Sequence, residues 1–151
     1  MVKEQKGQTL IETALILFLL LLILLGISEF ARAWYTKNSL KNAARQGARV
    51  AVVTSGITAD SDTKPASPPA NCDGLTGNAQ VFCEIWISAP GLPAGTIVNL
   101  TINDDDGSGG LNAGDTITVD ATSTFTYIVG GSPWPWPDST DLTTNASMRY
   151  E

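Results

Sequence analysis

The chain has 151 residues, a formal net charge of −6, no histidine and two cysteines, a length that supports at most one domain plus an appendage. The lack of histidine excludes Ser-His-Asp and Cys-His catalysis and histidine-ligated metals, and two cysteines alone cannot hold a structural zinc. Residues 1–49 carry seven Lys/Arg against three Glu, whereas residues 50–151 carry two against twelve Asp/Glu; this acidic balance argues against nucleic acid as a partner, because phosphate binding needs net positive surface.

Residues 14–27 read ALILFLLLLILLGI, without a polar side chain. A bilayer span needs roughly 20 residues. Counting from Gln8 to Ser28 gives 21 positions, about 31 Å of helix at ~1.5 Å per residue. A cleaved secretory signal is one reading, with Lys3 and Lys6 before the apolar run and Ala31-x-Ala33 after it. Bulky Phe30 and Trp34 beside that pattern weigh against it. A plain signal anchor fits the hydrophobicity but leaves Glu12 unexplained. A carboxylate inside an apolar helix is costly and normally has a partner, unless it snorkels outward at the interface.

The helix is expected to continue. From Glu29 to Val53 there is no proline and one glycine, Gly47, and alanine and straight-chain residues dominate. Phe30, Trp34, Leu40, Ala44, Ala48 and Ala51 fall near one face, while Lys37, Lys41, Arg45 and Arg49 recur every four residues as a basic stripe. The expectation is one helix from about Thr9 to Val53, fit for lipid in its first half and amphipathic in its second.

Lys6-Gly7-Gln8-Thr9-Leu10-Ile11-Glu12, followed by the apolar run, resembles the processing and anchoring segment of type IV pilin-like proteins. Glu29-Phe30-Ala31-Arg32-Ala33-Trp34-Tyr35 and Asn42-Ala43-Ala44-Arg45-Gln46-Gly47-Ala48-Arg49 resemble the TadE-like pseudopilins, as do Gly114–Val119 and Ala146–Arg149. The major Flp pilins are much shorter and carry Tyr after the Glu, where this chain has Thr13. The resemblance implies a minor, pseudopilin-class subunit. A membrane-embedded prepilin peptidase would cut between Gly7 and Gln8, where glycine lets the backbone enter a narrow site. Glu12, one turn beyond the new amine, would pair with the amine of a neighbouring subunit, offsetting part of its desolvation cost. Lys3, Lys6 and the free amine would keep the N-terminus cytoplasmic by the positive-inside rule.

Thr54 to Gly77 is rich in Ser, Thr, Pro, Gly and Asp and reads as linker. Cys72 and Cys83 form a disulfide by default if the domain lies in an oxidising compartment; two free thiols are the alternative. Asn78–Ser88 reads as a short helix, with Val81, Ile85 and Ala89 at helical spacing, Asn78 as cap and Pro90-Gly91 as stop, although its β-branched content also allows a strand. Thr96–Asn103 and Thr116–Val129 alternate as strands, the second with Ile117, Val119, Ala121, Phe125 and Tyr127 on one face and threonines with Asp120 on the other. Leu142–Tyr150 is the expected third strand.

Between the first two strands, residues 104–115 fit a twelve-residue calcium loop, with Asp104, Asp106, Ser108, Asn112 and Asp115 as ligands and Gly109 at the turn. Asp115 is shorter than the usual Glu and no helices flank the loop, so a Gly-rich acidic hairpin loop is the competing reading. Ser132–Pro137 (SPWPWP) should be a stiff extended loop whose tryptophans either contact a partner or cover a sheet edge. Asn99-Leu100-Thr101 and Asn145-Ala146-Ser147 fit the glycosylation sequon, a pattern of little weight here.

The expected fold is α+β: a long N-terminal transmembrane and amphipathic helix packed on a small antiparallel sheet, pilin-like. The expected organisation is a leader (1–7), the helix (8–53, with 8–28 transmembrane and 29–53 amphipathic), a linker (54–77) and an extracytoplasmic α+β domain (78–151). The expected role is a non-enzymatic minor pilin of a Flp/Tad-type pilus, without a cofactor unless calcium binds. Its partners would be the prepilin peptidase, other pilin subunits, the assembly machinery and membrane lipid. The alternative is a permanently anchored surface adhesion module using the calcium loop.

Overall fold

The computed structural model describes residues 5–105, 107, 111–128 and 137–151. The order of elements is α1 (Gln5–Ala51), β1 (Asp60–Thr63), α2 (Gly77–Ser88), β2 (Ile97–Asn103), β3 (Thr116–Thr126) and β4 (Ser139–Arg149). The chain divides into two compact units, Met1–Trp34 and Tyr35–Glu151, so α1 contributes to both. The α+β class and the long apolar helix expected from the sequence are present.

The first unit is helical throughout its described residues. Its large apolar side chains from Leu10 to Ile27 are 47% to 72% exposed. In water that much oily surface is unfavourable at roughly 25 cal/mol per Å², so these side chains require lipid or other protein around them. Phe30 and Trp34, expected on the buried face, are instead 67% and 60% exposed. They stack on each other, one turn apart, with ring centroids at 5.9 Å, and belong to the apolar unit rather than to the core that follows.

The second unit holds the core. Its sheet is antiparallel with order β1-β2-β3-β4. Val98 and Leu100 of β2 and Ile117, Val119, Ala121 and Phe125 of β3 are buried on one face. The alternation expected for β3 holds, with buried Ser123 filling the gap in its apolar series. Leu40, Ala43, Ala44, Ala48 and Ala51 of α1 join this core together with Val81, Ile85 and Trp86 of α2. Small residues on α1 set the close approach. A Cβ built on Gly47 would lie 2.5 Å from Ile85 Cδ1 and 3.4 Å from Val119 Cγ1, so glycine leaves room for Ile85, whereas Val119 would be in ordinary contact.

Helix α1 closes with Val52, Val53 and Thr54 donating backbone bonds back to Ala48, Val50 and Ala51, and with Thr54 Oγ1 donating to Val50 O at 2.8 Å. These satisfy carbonyls that a helix end otherwise leaves open.

The linker reading of 54–77 misses a strand. Residues Asp60–Thr63 pair antiparallel with Ile97–Leu100 of β2 as an edge strand. Its composition, Asp-Ser-Asp-Thr, gives no hydrophobic alternation, and Asp60 and Asp62 sit opposite Leu100 and Val98. Side-chain hydrogen bonds to α2 hold it in place of apolar packing. The capping role expected of Asn78 is also corrected. Thr76 is the N-cap of α2, without a side-chain cap bond, and Asn78 reaches β1 instead.

Candidate functional site

In the first unit, Gly7, Gln8 and Glu12 are all helical and exposed. Gln8 and Glu12 are four positions apart, which places them on one face about one turn, ~6 Å, apart along the axis. Thr13 Oγ1 donates to Thr9 O at 2.8 Å, which absorbs the one hydroxyl next to Glu12 into the helix backbone. From Gly7 onward this helix is long and apolar enough to cross a membrane, and none of its most apolar stretch is buried. The Glu12 carboxylate therefore lies near the start of an exposed apolar helix.

The second unit holds the other sequence-predicted residues. Cys72 and Cys83 form a disulfide with Cα atoms 5.8 Å apart, which ties the 65–75 loop to α2. Of the proposed calcium ligands, Asp106 and Ser108 lie outside the described residues, as does most of the Ser132–Pro137 segment. Asp115 is 1% exposed, and its carboxylate accepts the Asp105 N–H at 3.2 Å and the Asn112 N–H at 2.7 Å. Its backbone pairs with the chain end, Tyr150 N–H donating to Asp115 O at 2.8 Å. Asp104 accepts the Gly107 N–H at 2.6 Å. The carboxylates at the two ends of this loop thus already tie its backbone. Among the described residues, no group of three His, Cys, Asp or Glu side chains is placed to hold a metal ion.

Three features of the second unit were invisible to pattern reading. Lys64 is buried, and its Nζ donates to the carbonyls of Ala89 (3.0 Å), Pro90 (3.0 Å) and Leu92 (2.6 Å). All three ammonium protons are used at the C-terminal end of α2, where carbonyl dipoles favour a cation. Burial pulls the Lys64 ammonium below the ordinary lysine value. Trp86 Nε1 donates to Asp62 Oδ2 at 3.0 Å, and Asn78 bridges Thr58 and Asp60. An open groove of about 450 Å³ runs beside β1, lined by Asp60, Asp62, Pro69, Leu75, Phe82 and Trp86 among others. Both of its carboxylates already accept a hydrogen bond from α2.

Comparison with known families singles out the helix rather than any part of the sheet domain. The family model described as TadE-like protein matches residues 7–49. Over that segment the chain is similar to TadE-like proteins. No curated protein and no solved structure matches the chain. The TadE-like segment opens on Gly7 and Gln8, contains Glu12 and the whole apolar run, and ends at Arg49, the last residue of the basic stripe. The match covers most of the N-terminal stretches that resemble this family, Lys6–Glu12, Glu29–Tyr35 and Asn42–Arg49, but not Gly114–Val119 or Ala146–Arg149. It supports a Tad pilus-associated protein carrying one candidate membrane span. The residues from Val50 to the C-terminus lie outside the match.

Proposed function

We propose that the chain is a TadE-like minor pilin, cut by a prepilin peptidase between Gly7 and Gln8 and incorporated into, or used to assemble, a Flp/Tad-type pilus. The observation that carries this reading is the exposed apolar helix of the TadE-like segment, with Gly7, Gln8 and Glu12 at its start. A helix whose bulky side chains stay half exposed is built to be covered by something else, first lipid and then neighbouring helices.

In this account Gly7 admits the backbone to the peptidase, and the cut releases the Gln8 amine. Glu12 is costly in lipid as a lone carboxylate and becomes tolerable when it meets the amine of another subunit. It therefore sets entry and register. The N-terminus lies in the cytoplasm and the sheet domain outside, an orientation the Cys72–Cys83 disulfide supports, since disulfides persist in oxidising compartments. Flanking charge pulls the other way. Arg32, Lys37, Lys41 and Arg45 follow the apolar run closely, against Lys3 and Lys6 before it, and the positive-inside bias alone would retain the more basic side. The orientation therefore rests on processing and oxidation rather than on charge.

The test is Gly7→Ala in cells that make the pilus. Native protein should begin at Gln8 by intact mass, and the variant should accumulate at full length. A native chain beginning at Met1 or Val2, or a Gly7→Ala variant of unchanged mature mass, overturns the processing step and favours a permanent anchor.

A further inference from the structure

From Ile85 to Asn103 no side chain is charged, and the 89–96 loop that joins α2 to β2 lies within that stretch. The loop is exposed at Pro90, Gly91, Pro93, Ala94 and Gly95. Ile87 and Ile97 flank it and are 39% and 43% exposed. Loops that face water are normally polar, and water is free to satisfy their backbone. This loop is apolar, and much of its backbone is satisfied from inside the protein. Lys64 Nζ donates to the carbonyls of Ala89, Pro90 and Leu92, and Lys64 N–H donates to Thr96 O at 2.7 Å. Gly95 N–H donates to Lys64 O, Leu92 N–H to Ala89 O and Thr96 N–H to Pro93 O. Pro90 and Pro93 have no N–H to satisfy. A surface against lipid requires this arrangement, because hydrocarbon offers no hydrogen bonds. The same bonds hold the loop in one shape, so its apolar edge can be presented without a further ordering cost.

The loop also sits at a definite height on α1. A Cβ added at Gly91 would lie 2.5 Å from Tyr35 Oη and 3.1 Å from Tyr35 Cε1, so glycine lets the loop close on that ring. Tyr35 is otherwise 63% exposed. It follows Ile27, the end of the apolar run, by eight residues, about 12 Å of helix, and helical side chains lean back toward the N-terminus. The headgroup layer is about 5–8 Å deep on each side of the hydrocarbon. The Tyr35 ring thus falls where tyrosine and tryptophan gather at membrane interfaces. At the same end of the sheet β3 and β4 run past the start of β2 and bring Asp138 and Asp141. The contact this end can make with a bilayer is therefore apolar, not an attraction to anionic headgroups.

We propose that the 89–95 loop and the Tyr35 ring rest on the headgroup–acyl boundary of the bilayer that α1 crosses, and so set how the second unit stands on the membrane. The proposal goes beyond the pilin reading. It rests on α1 spanning a bilayer, and neither on the cut at Gly7 nor on a pilus.

The experiment uses the full chain, disulfide intact, in phosphatidylcholine nanodiscs that hold one copy each. An environment-sensitive fluorophore is attached at Ala94→Cys, at Phe18→Cys within the apolar run and at Ser55→Cys beyond the far end of α1. Lipids brominated at shallow or deep acyl positions report depth by quenching. The Ala94 label should be blue-shifted and quenched more by shallow than by deep bromines. The Phe18 label should show the reverse order, and the Ser55 label should be quenched by neither. Pro93→Asp should abolish quenching of the Ala94 label and leave the melting midpoint where it was. An Ala94 label as wet and unquenched as the Ser55 label, beside a quenched Phe18 label, overturns the loop contact and spares the span. So does quenching that Pro93→Asp leaves unchanged. A blue-shifted Ala94 label that bromine does not quench would put protein rather than lipid on the loop, and overturns the proposal as well. An unquenched Phe18 label overturns the span itself, and the loop contact with it.

Discussion

The two units of this chain obey opposite rules of burial. In Met1–Trp34 the large apolar side chains are exposed, Leu10 at 72% and Phe30 at 67%. In Tyr35–Glu151 even charged groups are taken inside, Lys64 at 5% and Asp115 at 1%, each with hydrogen-bond partners supplied by the backbone. Among the described residues, no buried side-chain polar atom lacks a partner. The first unit leaves its apolar side chains uncovered. The family match falls on the helix that crosses from one unit into the other, and none of it on the sheet.

Variants sharpen that contrast, and the largest effect on stability is expected at Lys64. Lys64→Met removes three donors and leaves the carbonyls of Ala89, Pro90 and Leu92 without them. At roughly 1–3 kcal/mol for each buried unsatisfied polar group, a loss of at least about 3 kcal/mol is expected. A chemical melt of the full chain in detergent, followed by near-UV signal from Trp86, checks it. An unchanged midpoint would mean that the second unit does not depend on its buried ammonium.

Removing the disulfide with Cys72→Ser and Cys83→Ser should cost about 2–3 kcal/mol, the chain-entropy value for a short loop. The same melt run with and without reductant should show wild type moving to the variant's midpoint. A variant as stable as oxidised wild type would show that the loop is held by other contacts, such as Asn78 to β1.

Gly47→Ala should be milder. Its Cβ would press on Ile85, and overpacking typically costs 1–3 kcal/mol, but alanine recovers about 1 kcal/mol of helix propensity over glycine. The net expectation is a loss of about 1 kcal/mol. A gain in melting temperature would mean that α1 and α2 separate easily, which contradicts a tightly closed second unit.

The smallest effect concerns pH. With its folded value below the ordinary one, Lys64 releases its proton at lower pH than it does in the unfolded chain. Between that lowered value and about 10.5 the unfolded state holds more protons, so unfolding free energy contributed by this group rises with pH there. The rise should be present in wild type and absent in Lys64→Met, compared in melts from pH 8 upward.

Much of the second unit was legible because period-two alternation marks β2 and β3, and because Val81, Ile85 and Ala89 mark one face of α2. Residues Asp60–Thr63 were not legible as a strand. Their pairing depends on Asn78, on Trp86 and on β2, and none of these is nearby in sequence. Lys64 was invisible for the same reason, since its three acceptors lie 25 to 28 residues away. Phe30 and Trp34 misled because helical spacing assigns a face without saying what covers it. Of the calcium pattern, Asp106 and Ser108 lie outside the described residues, and pattern counting did not foresee that Asp115 and Asp104 accept backbone amides of the same loop. In the first unit Gly7, Gln8 and Glu12 were singled out by spacing within a family resemblance, and all three are exposed among the described residues, so packing does not mark them.

The central claim is that Glu12 serves recognition between subunits rather than the fold of its own chain. Its most direct measurement is the amount of Glu12→Ala protein in sheared surface filaments, compared with wild type in the same cells. The account predicts a chain that is made, cut to begin at Gln8, melts like wild type and is missing from the filaments. Glu12→Ala protein present in filaments at the wild-type level would contradict it.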